Sequence, residues 1–105
     1  MIENLAEFFK AISDPTRLRI VNLLLHKNTL NVNNLVNILD LPQSKVSRHL
    51  AVLRNTGWLT FIRRDKWVYY RLNSQLNKEF LNSLEILFKT HLQFEADLIK
   101  ADEYL

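Results

Sequence analysis

Apolar residues recur along this chain at steps of three and four, then at steps of two, then at three and four again, and each change of period marks an element. Ile2, Leu5, Phe8, Phe9 and Ile12 form the apolar face of a short first helix. Ser13-Asp14-Pro15 ends it and opens the next: Asp14 suits an N-cap, and Pro15 suits the first helical position, where a missing N–H costs nothing. The second helix runs to about Leu25. Its Leu18, Ile20, Val21, Leu23, Leu24 and Leu25 leave little polar circumference, which predicts a central place touched from several sides. A third helix, capped by Asn31, buries Val32, Leu35, Val36 and Leu39 and turns Asn33, Asn34 and Asn37 outward. After the turn Asp40-Leu41-Pro42 comes a fourth, with Val46, Leu50 and Leu53 as its inner stripe and Gln43, Ser44, Ser47 and Arg48 on the opposite face.

Two short helices joined by a tight turn make a helix-turn-helix. The outer face of the second is short, hydrogen-bonding and poor in carboxylates, the combination a DNA-reading helix needs. Asn55-Thr56-Gly57 then stops the chain with its only glycine, placed where a left-handed C-cap requires one. Trp58–Arg63 and Trp67–Leu72 are rich in aromatic and β-branched residues and flank a turn at Arg64-Asp65-Lys66, predicting a β-hairpin. A helix-turn-helix followed by a hairpin is a winged helix. Its wing would carry Arg63, Arg64 and Lys66 to phosphates or a minor groove, while Trp67, Tyr69 and Tyr70 read as sheet-to-helix core rather than base-stacking platforms.

The last third reads as one long helix from Gln75 to about Ala101, capped by Ser74. Leu76, Phe80, Leu84, Leu87, His91, Phe94 and Leu98 follow one another in steps of four and three, a seam broader than one small domain would cover. Packing against a second copy, together with Leu5, Phe8 and Phe9 of the first helix, would bury it in a two-fold homodimer; packing on the chain's own bundle is the other possibility. The expected fold is therefore mainly α with a small β-hairpin: one winged-helix domain spanning 1–105, ordered α-α-α-α-β-β-α, with dimerising terminal helices.

Composition narrows the chemistry. The 105 residues contain no cysteine, which excludes disulfides, thiolate metal sites, cysteine nucleophiles and thiol redox switches. There is no glycine-rich phosphate loop, and Ser44, Ser47 and His49 share one helix with no carboxylate nearby in sequence to orient the imidazole, so enzyme readings are poor. Neither a membrane span nor a basic-then-apolar leader is present at the N-terminus, and a cytoplasmic location is expected. The net charge of +3 conceals an asymmetry. From Lys45 to Arg71 seven Lys or Arg (Lys45, Arg48, Arg54, Arg63, Arg64, Lys66, Arg71) face one acid, Asp65, whereas the remainder holds seven bases and ten acids. An excess concentrated on the proposed recognition helix and wing points to double-stranded DNA as partner; without it, a winged-helix module binding a protein would be the better reading.

Taken together, Ala11–Ile20 (AISDPTRLRI), Gln43–Leu50 (QSKVSRHL), Leu53-Arg54, Gly57 and Trp67–Leu72 resemble the ArsR/SmtB repressors, in order and over nearly the whole chain. The resemblance implies a homodimeric winged-helix repressor that leaves its operator when an effector binds. It also implies that Gln43, Ser44, Ser47, Arg48 and His49 face DNA, adding His49 to the face drawn from periodicity. The chain departs from the family where effectors bind. Arsenic- and cadmium-sensing members begin the third helix with Cys-Val-Cys-Asp-Leu-Cys, and here the matching residues are Asn31-Val32-Asn33-Asn34-Leu35-Val36. Amides and an alkyl group replace soft thiolates. In the C-terminal zinc and nickel pattern, one register of His91 brings Lys89, Asp102 and Leu105, and the other brings Lys78, Phe80 and Phe94. Neither is a ligand cage, and His26 and His49 have no carboxylate or histidine at ligand spacing. A metal-independent regulator without cofactor is expected, its effector unassigned.

Overall fold

The computed structural model describes Met1–Leu105. The elements run α1 (Ile2–Ala11), α2 (Pro15–His26), β1 (Leu30–Asn31), α3 (Val32–Leu39), α4 (Gln43–Asn55), β2 (Leu59–Arg64), β3 (Trp67–Leu72), α5 (Lys78–Phe88) and α6 (Leu92–Tyr104). The helix ends follow the expected chemistry. Asp14 accepts from the Arg17 amide at 3.0 Å with Pro15 at the first helical position. Asn31 caps α3 in a reciprocal box, accepting from the Asn34 amide at 2.8 Å while the Asn34 side chain accepts from the Asn31 amide at 3.0 Å. At the end of α4, Gly57 (φ +94°) lets its own N–H reach the Arg54 carbonyl and the Trp58 N–H reach that of Leu53, a Schellman closure.

That closure delivers Trp58 into the core, where it is fully buried, stacks on Phe8 with ring centroids 4.0 Å apart, and donates its indole N–H to the Phe8 carbonyl at 2.7 Å. α2 is the central rod: Ile20, Val21, Asn22, Leu23 and Leu24 are all buried, and the helix packs on α4, α5, α6 and β3. The sheet is three-stranded, ordered β1-β3-β2 and antiparallel throughout. β1, a two-residue strand that no periodicity announces, pairs Leu30 with Tyr70 and Asn31 with Tyr69. The hairpin closes with Arg64 opposite Trp67, so the turn is Asp65-Lys66, with Asp65 in the left-handed region at φ 55°.

The C-terminal third differs from the expected single helix. Ser74 is not its cap; a turn precedes α5, and Asn77 caps that helix by accepting from the Phe80 amide at 3.0 Å. The helical run breaks at Lys89–His91, and α6 folds back over α2 and α3. The break has a physical cause: Phe88, Phe94 and Ala101 all enter the chain's own core, and Asp97, 3% exposed, makes a two-pronged pair with Arg19 at 2.8 and 2.9 Å. One straight helix could not bring Phe88 and Phe94 together, yet their rings lie 4.5 Å apart. Phe94 and Leu98, expected on a dimer seam, are half-buried against the chain's own core, and His91 is exposed at the break, its Nδ1 2.9 Å from the Thr90 hydroxyl.

Candidate nucleic-acid interface

The polar face of α4 is built by what lies behind it. Val46, Leu50 and Leu53 are fully buried, and anchoring them against α2 and α3 turns Gln43, Ser44, Ser47 and Arg48 to solvent, where all four are exposed. None of the four side chains has a hydrogen-bond or ion-pair partner within the protein, so each keeps its donors and acceptors for an external ligand. Lys45 is half-buried at the edge of this face. Pro42 precedes the helix without a side-chain cap, leaving the first N–H groups of α4 open as well.

His49 is not on this surface. It is 7% exposed, and its Nδ1 lies 3.0 Å from an Arg17 guanidinium nitrogen and 3.9 Å from an Asp14 oxygen. Arginine only donates, so Nδ1 is the acceptor and the imidazole is neutral with its proton on Nε2. Burial lowers the pKa of His49; the Asp14 carboxylate opposes this, and Arg17, Lys45 and Arg48 add to the lowering. For Asp14, burial acts to raise the pKa but is outweighed by the Arg17 amide, the Arg17 charge and, once acid protonates the ring, the His49 charge, leaving it below the ordinary 3.8. Arg17 also donates to the Ala11 carbonyl. Asp14, Arg17 and His49 thus clamp the α1–α2 junction to the recognition helix, a use of Arg17 that sequence reasoning missed. The available signal was a cation one turn past an aspartate cap beside an almost wholly apolar helix.

The wing supplies the second part of the surface. Arg63, Arg64 and Lys66 are exposed. A furrow of about 410 Å³ between the wing and the starts of α3 and α4 is lined by Asn33, Gln43, Lys66 and Trp67, so wing tip and recognition helix meet in one concavity. Trp67 is 42% exposed here, contrary to the expected core position; Tyr69 and Tyr70 are half-buried. The register explains it: Trp67 is the first residue of β3, opposite Arg64 at the tip, where it borders the open furrow instead of the core. Arg54 differs from the other cations in lying over the Phe61 ring at 5.3 Å, which ties the end of α4 to β2. No ion pair of the molecule involves any of the seven Lys or Arg from Lys45 to Arg71.

Away from the wing, Leu5 (56%) and Phe9 (47%) of α1 and Leu87 (55%) of α5 are exposed. Phe8, Phe80 and Leu84 are half-buried beneath them, and Leu5, Phe8, Phe9, Leu76 and Phe80 line an apolar furrow of about 460 Å³.

The positions that match the family's metal sites do not fit a metal. At the three thiolate positions, Asn31 is engaged with Asn34 in the α3 cap, Asn33 is an exposed carboxamide and Val36 is a half-buried alkyl group. Near the C-terminus, Asp102 pairs with Lys27, and His91 bonds Thr90. His26 lies 3.8 Å from Glu85, too few donors for a cage.

Residues 14–59 match the family described as bacterial regulatory protein, arsR family. The arsenic resistance transcriptional regulator ArsR2 of Pseudomonas putida is 40% identical over 91 residues, covering 87% of this chain and 79% of that protein. The arsenical resistance operon repressor of Escherichia coli is 46% identical over 70 residues, 67% of this chain and 60% of the repressor's length. Among solved structures, the transcriptional repressor PagR of Bacillus anthracis superposes with a TM-score of 0.69 at 37% identity, over 82% of this chain and 94% of PagR.

Proposed function

This chain belongs to the ArsR family of bacterial regulatory proteins and is a winged-helix, DNA-binding transcriptional regulator; we propose that it is a single-domain repressor acting as a homodimer on an inverted-repeat operator, without a metal effector. The observation that carries the reading is the unpaired basic surface: six cations from Lys45 to Lys66 with no carboxylate at ion-pair distance, on or flanking a helix face whose hydrogen-bonding groups are all free. α4 enters the major groove. Gln43 and Arg48 have the reach and donor pattern for base edges, and Ser44 and Ser47 bond at closer range. Lys45, Arg54, Arg63, Arg64 and Lys66 neutralise phosphates, fixing register without reading sequence.

Selection of bound sites from random DNA, followed by footprinting, tests this reading. An inverted repeat with half-sites about 10 or 20 bp apart is expected, and a single asymmetric half-site would overturn the dimer. With roughly four phosphates neutralised per subunit, the log–log salt slope should lie near −7; a flat response would favour a protein-binding module instead. Titrations with Zn(II), Ni(II), Cu(I) and As(III) should leave DNA affinity unchanged, and a tenfold loss, about 1.4 kcal/mol of coupling, would refute metal independence.

A further inference from the structure

The basic segment ends in a cation that the DNA-facing surface does not use. Arg71 lies at the base of the hairpin, opposite Thr60 and about 17 Å along the strand from Lys66 at about 3.3 Å per residue. It borders a cleft of about 600 Å³ between the end of α2, β3 and α5, within the size range of small-molecule sites. Lys78, the first residue of α5, borders the same cleft.

The charge balance of the cleft is specific. Lys78 has neither a hydrogen-bond nor an ion-pair partner in the protein, and the only side-chain hydrogen bond of Arg71 is a long one of 3.4 Å from Nε to the Thr60 hydroxyl. The guanidinium fork is therefore open. The one acid in the lining, Glu85, already lies 3.8 Å from both His26 and Lys89, neither of which lines the cleft. Two uncommitted cations thus share a concavity with Leu24, Leu25, Leu72 and Leu81. A guanidinium and an ammonium beside an apolar wall match a carboxylate carrying an apolar body, the carboxylate taking the fork and the body covering the leucines.

We propose that this cleft binds small organic monocarboxylates and that its occupancy weakens operator binding. The second half rests on the repressor reading above. The cleft joins three elements with different tasks: β3 carries the wing, α5 contributes to the exposed apolar face, and α2 underlies the recognition helix. An anion held between Arg71 and Lys78 draws the hairpin base toward α5. Such a shift changes the angle between the wing and the face on which two subunits would meet, and with it the spacing of the two recognition helices. A ligand moves that equilibrium only by its differential affinity for the two arrangements, so the effect must saturate with occupancy.

The test uses hexanoate, benzoate and phenylacetate, each against its neutral amide, followed through the backbone amide resonances of the full chain without DNA. At least one carboxylate should give saturable shifts at Leu25, Arg71, Lys78 and Leu81 and bind at least fivefold more tightly than its amide. The Arg71→Gln/Lys78→Gln double variant should lose that preference while keeping its unfolding midpoint. No saturable shift from any carboxylate up to about 10 mM, or equal binding of the amides, overturns the site. In a separate titration on the selected operator, saturating carboxylate should weaken binding at least tenfold in the wild type and not in the double variant. Cleft binding without that change overturns the coupling, whereas failure of the ligand-free protein to bind any DNA would strike the repressor reading and leave the ligand site standing.

Discussion

His49 follows Arg48 in α4, and the rotation of about 100° between consecutive helical residues carries it from the groove side into the interior. The two should respond to substitution in opposite ways. Arg48→Ala should lower operator affinity ten- to a hundredfold, about 1–3 kcal/mol, without moving the urea unfolding midpoint. His49→Ala should lower the midpoint instead, because it removes the acceptor that holds Arg17 across to the recognition helix. The pH dependence carries a sign. Burial depresses the folded pKa of His49 below its ordinary 6.5, so the neutral ring's contribution to stability is fully present above pH 6.5 and is lost as pH falls toward the folded value. The unfolding midpoint of the wild type should therefore fall on acidification from about pH 7 to pH 5, and His49→Ala should show a shallower slope. Periodicity alone separated His49 from Gln43, Ser44, Ser47 and Arg48; motif resemblance put it back among them, because a motif records which residues recur and not which way they face.

Among the elements, those set by local chemistry were legible in the sequence. Asp14, Asn31 and Gly57 each act within about one turn of themselves, and all three do what their residue types require. The C-terminal third was misread because its stripe continues in steps of four and three straight through the break, so nothing in the apolar spacing marks Lys89–His91. What decides the break is a long-range partner, Arg19, seventy-eight residues away from Asp97 in sequence. A carboxylate inside an otherwise apolar helical stripe was the clue, and it needed a partner's position to be read. Asp97→Ala should destabilise the protein by about 2 kcal/mol, less than for a fully buried pair because Arg19 keeps some access to water. Chemical denaturation measures this, and hydrogen exchange should show the loss concentrated in α6. Trp67 was misjudged for a related reason: composition places it in a strand, but only the register places that residue at the tip.

At the scale of the whole molecule, the core closes around α2, while Leu5, Phe9, Ile86 and Leu87 on α1 and α5 are among the apolar residues that remain exposed. Burying Leu5, Phe9 and Leu87 against a second copy is the proposed dimer, with Phe80 and Leu84 supporting them from below. Phe9→Glu places a charge in that face at a residue with little to lose in the monomer's own core, so it should yield a folded monomer by sedimentation equilibrium. Its DNA affinity should fall steeply, because two linked half-sites bind far more tightly than one.

The reciprocal cap of α3 bears on how such a regulator can change its signal. Asn31 and Asn34 hold each other's backbone N–H groups, so the start of α3 is ordered without any ion. Replacing Asn31 with cysteine removes one half of that box at a cost of about 1 kcal/mol before any second thiolate exists to help hold a metal. A path from this sequence to a thiolate sensor therefore begins downhill in stability. The same cap that gives α3 its fixed start is an evolutionary barrier around the signal the protein answers to.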